Sequence, residues 1–131
     1  MKRLAVLYIA TLAVMVPLDF LFLGVLAKDF FKAQVGGALG NLNVTAAVLF
    51  YLIYPAGIVI FASSGAGHWQ QAMLMGALFG FFCYATFDLT TLALLRGWTW
   101  PAAAIDVSWG TIVTALSATV GLLAANALAR Q

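Results

Sequence analysis

Long apolar runs, separated by short polar or glycine-rich stretches, dominate the pattern of hydrophobic and polar positions in this chain. A helix of about 20 apolar residues is long enough to cross the hydrocarbon of a bilayer. Four runs reach about that length, and they cover residues 4–27, 44–62, 72–95 and 102–129. The pattern therefore predicts an all-α fold: a polytopic membrane protein whose four-transmembrane-helix bundle forms a single domain over residues 1–131.

The stretch between the first two runs, about residues 28–42, predicts a short interfacial segment. Lys28 and Lys32 lie one helical turn apart, with two phenylalanines between them. Such a segment can extend its lysines towards the headgroups and place its aromatic rings in the hydrocarbon. Four spans put both termini on one side, and the basic pair Lys2 and Arg3 before the first helix favours the cytoplasm.

Composition excludes several classes of protein. The chain is 65% hydrophobic and only 8% charged, whereas soluble domains carry about 25% charged residues. The net charge of +2, without any basic cluster longer than two residues, excludes nucleic acid as a partner. A single histidine, a single cysteine and no glutamate predict neither a metal site nor a bound cofactor. The expected environment is the lipid bilayer.

Three aspartates lie inside the predicted spans, where an ionisable side chain costs about 2.5–3.5 kcal/mol at the helix centre. Counted from the nearer helix end, Asp19 lies about 12 Å deep, Asp88 about 10 Å and Asp106 about 6 Å. All three depths fall in the same leaflet. The hinge over residues 96–101 is short, so helices three and four are expected to be antiparallel neighbours. We therefore expect Asp88 and Asp106 to meet across the hinge.

If the three aspartates face inward, they share one polar site. Tyr84, Thr91 and Trp109 are the expected hydrogen-bond partners, and Arg96 is a candidate counter-charge. Two interpretations remain open at this stage. The cluster either binds a proton, an ion or a small ligand, or it locks the bundle together through hydrogen bonds.

Small residues in helices three and four predict close helix packing. Gly76 and Gly80 are four residues apart, and Gly110 and Gly121 lie on helix four. Such glycines allow two membrane helices to approach closely. These four positions exceed what one bundle needs, which predicts a contact face for a homodimer or another membrane protein.

Six segments stand out together, and they cover residues 18–24, 50–54, 76–80, 85–90, 95–98 and 106–110. In combination they resemble a bacterial membrane-protein family catalogued as domain of unknown function 2177. Phe22 stands where the family usually has Trp, and Thr91 stands where it usually has Asn. The resemblance covers essentially the whole chain and implies a four-helix protein of the bacterial cytoplasmic (inner) membrane. It implies no reaction.

The sequence favours a small membrane protein that binds or moves a proton, an ion or a small ligand. One alternative is a structural or accessory subunit of a larger membrane complex. A second is a lipid-modifying enzyme that uses aspartate acid-base chemistry. Catalysis is less favoured, because His68 lies in the opposite turn and Cys83 has no charged neighbour in sequence.

Overall fold

Four long helices form the architecture of the protein. The computed structural model describes residues 2–22, 24, 44–95 and 97–129. Its helices are α1 (Lys2–Leu21), α2 (Val44–Ile58), α3 (Trp69–Leu94) and α4 (Trp100–Ala129), and a π-helix (Val59–Ser63) continues α2. Each of the four apolar segments is long enough to cross a membrane, and no strand occurs in the described ranges. The predicted all-α fold with four membrane-spanning helices is confirmed.

Side-chain caps decide where the last two helices begin. Nδ1 of His68 accepts a hydrogen bond from the Gln71 backbone N–H at 3.2 Å. Oγ1 of Thr99 accepts one from the Ala102 N–H, also at 3.2 Å. Both contacts satisfy an N–H group that lacks a partner within its helix. As a result, α3 begins at Trp69 and α4 at Trp100, slightly earlier than the predicted positions 72 and 102.

Two of the predicted segments lie outside the described residues. The interfacial segment over 28–42 is one of them, together with Lys28 and Lys32. The other is most of the predicted end of the first helix, which the apolar pattern extends to residue 27, beyond the end of α1 at Leu21.

Helix α4 is the centre of the bundle. About half of its most apolar stretch is buried within the chain, against about a fifth in each of the other spans. It packs along α3 on one side and along α1 on another. Its fully buried side chains include Val113 and Leu122, which belong to two hydrophobic clusters shared with α1 and the α2–π segment. Helices α1 and α3 are therefore positioned largely by α4, whereas the α2–π segment packs mainly against α1 and α3.

The α3–α4 interface has a regular register. Each step of four residues along α3 is matched by a step of four residues back along α4, as expected for antiparallel neighbours joined by a short hinge. The facing pairs are Gly76 with Ala118, Gly80 with Thr114, Tyr84 with Gly110, and Asp88 with Asp106. The register thus brings the two aspartates together at the hinge end of the interface.

Four glycines of α3 and α4 lie at close helix–helix contacts within the chain. A Cβ atom at Gly76 would lie 2.9 Å from the Cβ of Ala118, and one at Gly80 would lie 2.5 Å from the Gly110 carbonyl oxygen. A Cβ at Gly110 would collide with the Tyr84 ring, and one at Gly121 with the Thr11 hydroxyl. The prediction that Gly76, Gly80, Gly110 and Gly121 form an outer contact face is therefore wrong.

The outer surface of the bundle is strongly apolar. Large hydrophobic side chains point away from the core, with exposed fractions of 77% for Leu94, 67% for Ile53 and 64% for Phe61. Soluble monomers rarely expose contiguous apolar surface beyond a few hundred Å². This surface suits the hydrocarbon of a bilayer.

Candidate functional site

Asp19 connects three helices. Its Oδ1 accepts a hydrogen bond from Nε1 of Trp109 on α4 at 2.8 Å, and its Oδ2 accepts one from the hydroxyl of Tyr51 on α2 at 3.1 Å. The Phe22 ring stacks on Trp109 with a centroid separation of 4.4 Å. Asp19 is only 4% exposed. Both of its oxygens therefore have donors, as a buried polar group requires.

Asp88 is fully buried and only half satisfied. Nε1 of Trp98 donates to its Oδ1 at 3.0 Å. The Trp98 ring also packs edge-on against Phe87, with the centroids 6.2 Å apart. Oδ2 of Asp88 is buried and receives no hydrogen bond from any donor in the described part of the chain. A buried carboxyl oxygen without a donor is uncommon in native structures and needs an explanation.

Asp106 is the side chain that faces Asp88. The two carboxyl groups lie close enough to form a side-chain hydrogen bond with each other. Asp106 also interacts electrostatically with Asp19. It is half-buried, and within the described ranges no N–H or O–H group donates to it. Asp106 therefore has two acidic neighbours: Asp19, which accepts a hydrogen bond on each oxygen, and Asp88, which has one oxygen without a donor.

The predicted hydrogen-bond partners have different outcomes. Trp109 does bind an aspartate, Asp19. Tyr84 lies near the cluster, but it contacts the backbone of Gly110 and forms no hydrogen bond to an aspartate in the described structure.

Thr91 does not have its predicted role as a hydrogen-bond partner of the aspartates. Its hydroxyl donates to the Phe87 carbonyl at 2.7 Å, so it is not a partner of Asp88. A threonine in a helix reaches the carbonyl four residues earlier without moving its backbone. Thr86 and Ser108 make the same local bond. Arg96, the candidate counter-charge, lies outside the described residues.

Two donors in the site were absent from the predicted set, namely Trp98 and Tyr51. A signal existed for both, because an indole N–H or a phenol hydroxyl in a membrane-embedded region needs an acceptor. Trp98 follows the end of α3 by a few residues, and its ring folds back onto that helix. Which aromatic donor reaches which carboxylate depends on helix rotation, which sequence spacing leaves open.

Two grooves reach the cluster from either side of α2. The larger, between α1 and α2, has a volume of about 830 Å³ and includes Asp19, Tyr84, Asp106 and Trp109 in its lining. The smaller, between α2 and α3, has a volume of about 350 Å³. Its described lining consists of Phe50, Tyr54, Cys83, Tyr84, Phe87 and Asp106. Asp106 is the acidic residue that both grooves share.

The geometry also bears on metal binding. In the parts of the chain that the structure describes, no group of three His, Cys, Asp or Glu side chains converges as a metal-binding set. The aspartates of the described structure therefore form no such set: Asp88 and Asp106 face each other, and Asp19 has its own donors.

Comparison with known proteins identifies the family to which the chain belongs. No curated protein and no solved structure is significantly similar to the chain. The sequence profile of one family, described as predicted membrane protein (domain of unknown function 2177), matches residues 4–123. This match covers most of the chain and confirms the resemblance carried by its aspartate and glycine motifs. The chain belongs to this family of predicted membrane proteins.

Proposed function

We propose that Asp88 and Asp106 bind one exchangeable proton between them, and that this pair is the functional centre of the protein. The observation that carries the proposal is the direct approach of two carboxyl groups, one of which has a buried oxygen without a donor. A hydrogen bond between two carboxyl groups requires a proton on one of them. Two charged carboxylates in contact also repel each other strongly where water is scarce.

Asp88 and Asp106 differ in solvent exposure, and this difference suggests a separate role for each. Asp88 is fully buried, whereas Asp106 is half-buried and borders both grooves. A proton can therefore reach the pair through Asp106, while Asp88 holds it from the inside. Trp98 supports Asp88 by donating to its other oxygen.

Asp19 has a different role in the proposal. It already has a donor on each oxygen, from α2 and α4. This arrangement fits a positioning residue that holds Tyr51 and Trp109 at the edge of the larger groove. It is also the one observation that favours the alternative of a structural subunit, because a saturated buried carboxylate mainly joins helices.

Infrared titration of the purified protein in lipid nanodiscs tests the proposal. The expected result is a protonated-carboxyl band that appears and disappears with pH in the wild type and in Asp19→Asn. The band should be lost in Asp88→Asn and in Asp106→Asn, because each removes one half of the pair. A band that survives in both of these variants would overturn the assignment.

A structural subunit gives another pattern in the same experiment. All three Asn variants would then lose folded protein, and the wild type would show no titrating carboxyl band. Gel filtration of each variant before the titration separates loss of folding from loss of the proton.

We also propose how the protein is oriented in the membrane. We place the protein in the bacterial cytoplasmic membrane with both termini in the cytoplasm, as the basic pair Lys2–Arg3 favours. The aspartates then lie in the outer leaflet. A reporter that is active only in the cytoplasm should be active when fused to the C-terminus, and an inactive fusion would reverse the orientation.

A further inference from the structure

We infer that the larger groove binds a lipophilic organic cation, which exchanges with the proton on Asp106; the inference rests on the proposed proton-binding pair. The groove lies between α1 and the first half of α2 and has a volume of about 830 Å³. Small-molecule sites are typically clefts of about 300–1,000 Å³ with mostly apolar walls and a few polar groups. This groove has both features.

The walls select an apolar body. They are made chiefly by aliphatic and aromatic side chains of α1 and α2. The apolar lining includes Leu12 and Val16 on α1, and Val44, Ala47 and Val48 on α2. Apolar walls cannot replace the water molecules that solvate an inorganic ion, so they do not favour its binding. They contact a ligand whose charge is surrounded by hydrocarbon or aromatic groups.

The floor of the groove selects a positive charge. Asp19 and Asp106 lie there, and the described lining contains no lysine or arginine. The oxygens of Asp19 are already occupied by donors, whereas Asp106 receives none in the described ranges. The open carboxyl group is therefore that of Asp106, and its complement is a cation.

Aromatic rings add to this preference. Tyr84 and Trp109 line the groove beside the carboxyl groups, and Phe50 borders both grooves. A cation over the face of such a ring is attracted by the negative π face of the ring, more strongly when it is desolvated. A cation with an apolar body thus meets complementary groups at both the walls and the floor.

Charge balance defines the exchange step. When the cation arrives, the O–H bond of the carboxyl pair breaks and its proton leaves to water. One positive charge replaces another, and the site keeps the same net charge in both states. Binding should therefore release one proton for each cation bound.

Tetraphenylphosphonium is a suitable probe, and tetraphenylborate is its control, with the same shape and the opposite charge. In nanodiscs containing the full chain, we expect saturable binding of the phosphonium and none of the borate. Its affinity should rise with pH by up to about tenfold per pH unit, because one proton leaves for each cation bound. Asp106→Asn should weaken binding by about tenfold to a hundredfold through the loss of a charged partner.

A second variant tests the groove without altering the carboxyl pair. Ala47 lies on α2 and lines the larger groove, so Ala47→Trp should fill part of it. We expect this variant to lose phosphonium binding and to keep the titrating carboxyl band. It also keeps the test conclusive if Asp106→Asn does not fold.

The possible outcomes separate this inference from the proposed function. A carboxyl band that titrates normally, without saturable phosphonium binding, overturns the inference and leaves the proton pair standing. Equal binding of phosphonium and borate, or binding that is unchanged in Asp106→Asn and Ala47→Trp, also overturns it. Saturable phosphonium binding that does not change with pH overturns the exchange step.

Discussion

The two ends of the bundle are built on different physical principles. At the end where the π-helix meets α3, small residues bring backbones together, as at Gly76 and Ala118, and Ser63 donates to the Ala118 carbonyl at 3.2 Å. At the hinge end, three carboxyl groups occupy the interior and aromatic donors reach towards them. One end is closely packed, and the other contains polar groups and two grooves.

Helix α2 shows the difference within a single segment. Ile58 at its packed end is buried, and so are Val59 and Ser63 in the π-helix that continues it. Val48 and Leu52, nearer its start, are about half exposed. The first half of α2 therefore stands away from the core and leaves a groove on each side. The close packing of one end joins the helices, and the hinge end holds an incompletely satisfied pair of acids.

The largest effect is expected in the packed end, from Gly80→Ala. The added methyl group would lie 2.5 Å from the Gly110 carbonyl oxygen, so α3 and α4 would have to separate. Overpacking of this kind destabilises by about 1–3 kcal/mol. Equilibrium unfolding in mixed micelles should show this loss. The control is Gly65→Ala, because a Cβ there meets no atom within 4 Å; equal stability of the two variants would contradict the packing argument.

A smaller effect is expected from Asp19→Ala at the hinge end. The substitution leaves the Trp109 N–H and the Tyr51 hydroxyl without their acceptor, and an unpaired buried donor costs about 1–3 kcal/mol, reduced here because Tyr51 is half-buried. Asp106→Ala should change the free energy of unfolding less, because no indole or phenol donor loses its acceptor and Asp88 can hold the shared proton itself. The same unfolding measurement compares the two, and a larger loss for Asp106→Ala would reverse the assigned roles.

The smallest effect is expected where the two ends meet, from Tyr54→Phe. The Tyr54 hydroxyl and Oγ1 of Thr114 are 2.7 Å apart and buried. Removing one partner of such a hydrogen bond costs about 0.5–1.5 kcal/mol. Tyr84→Phe is the matched control, since no described hydrogen bond uses the Tyr84 hydroxyl. Equal unfolding free energies for the two variants would show that this bond adds no stability.

Sequence alone was sufficient for the helices, and it also predicts the depth of the acids in the membrane. Apolar runs of about 20 residues identify spans because the thickness of the bilayer sets their length. Depth follows from the rise per residue, and the short hinge makes α3 and α4 neighbours. The meeting of Asp88 with Asp106 could therefore be anticipated from spacing, before any side chain was positioned.

Only the tertiary structure decided how each helix is rotated and which contacts its faces make. Rotation turned Gly76 and Gly80 inward against α4, where the sequence pattern had suggested an outer contact face. It gave Asp19 two donors and left Oδ2 of Asp88 without one. A helix that is apolar on all sides carries almost no periodic signal of its orientation. Its rotation is set instead by close packing against neighbouring helices, and the sequence of one span alone does not show those contacts.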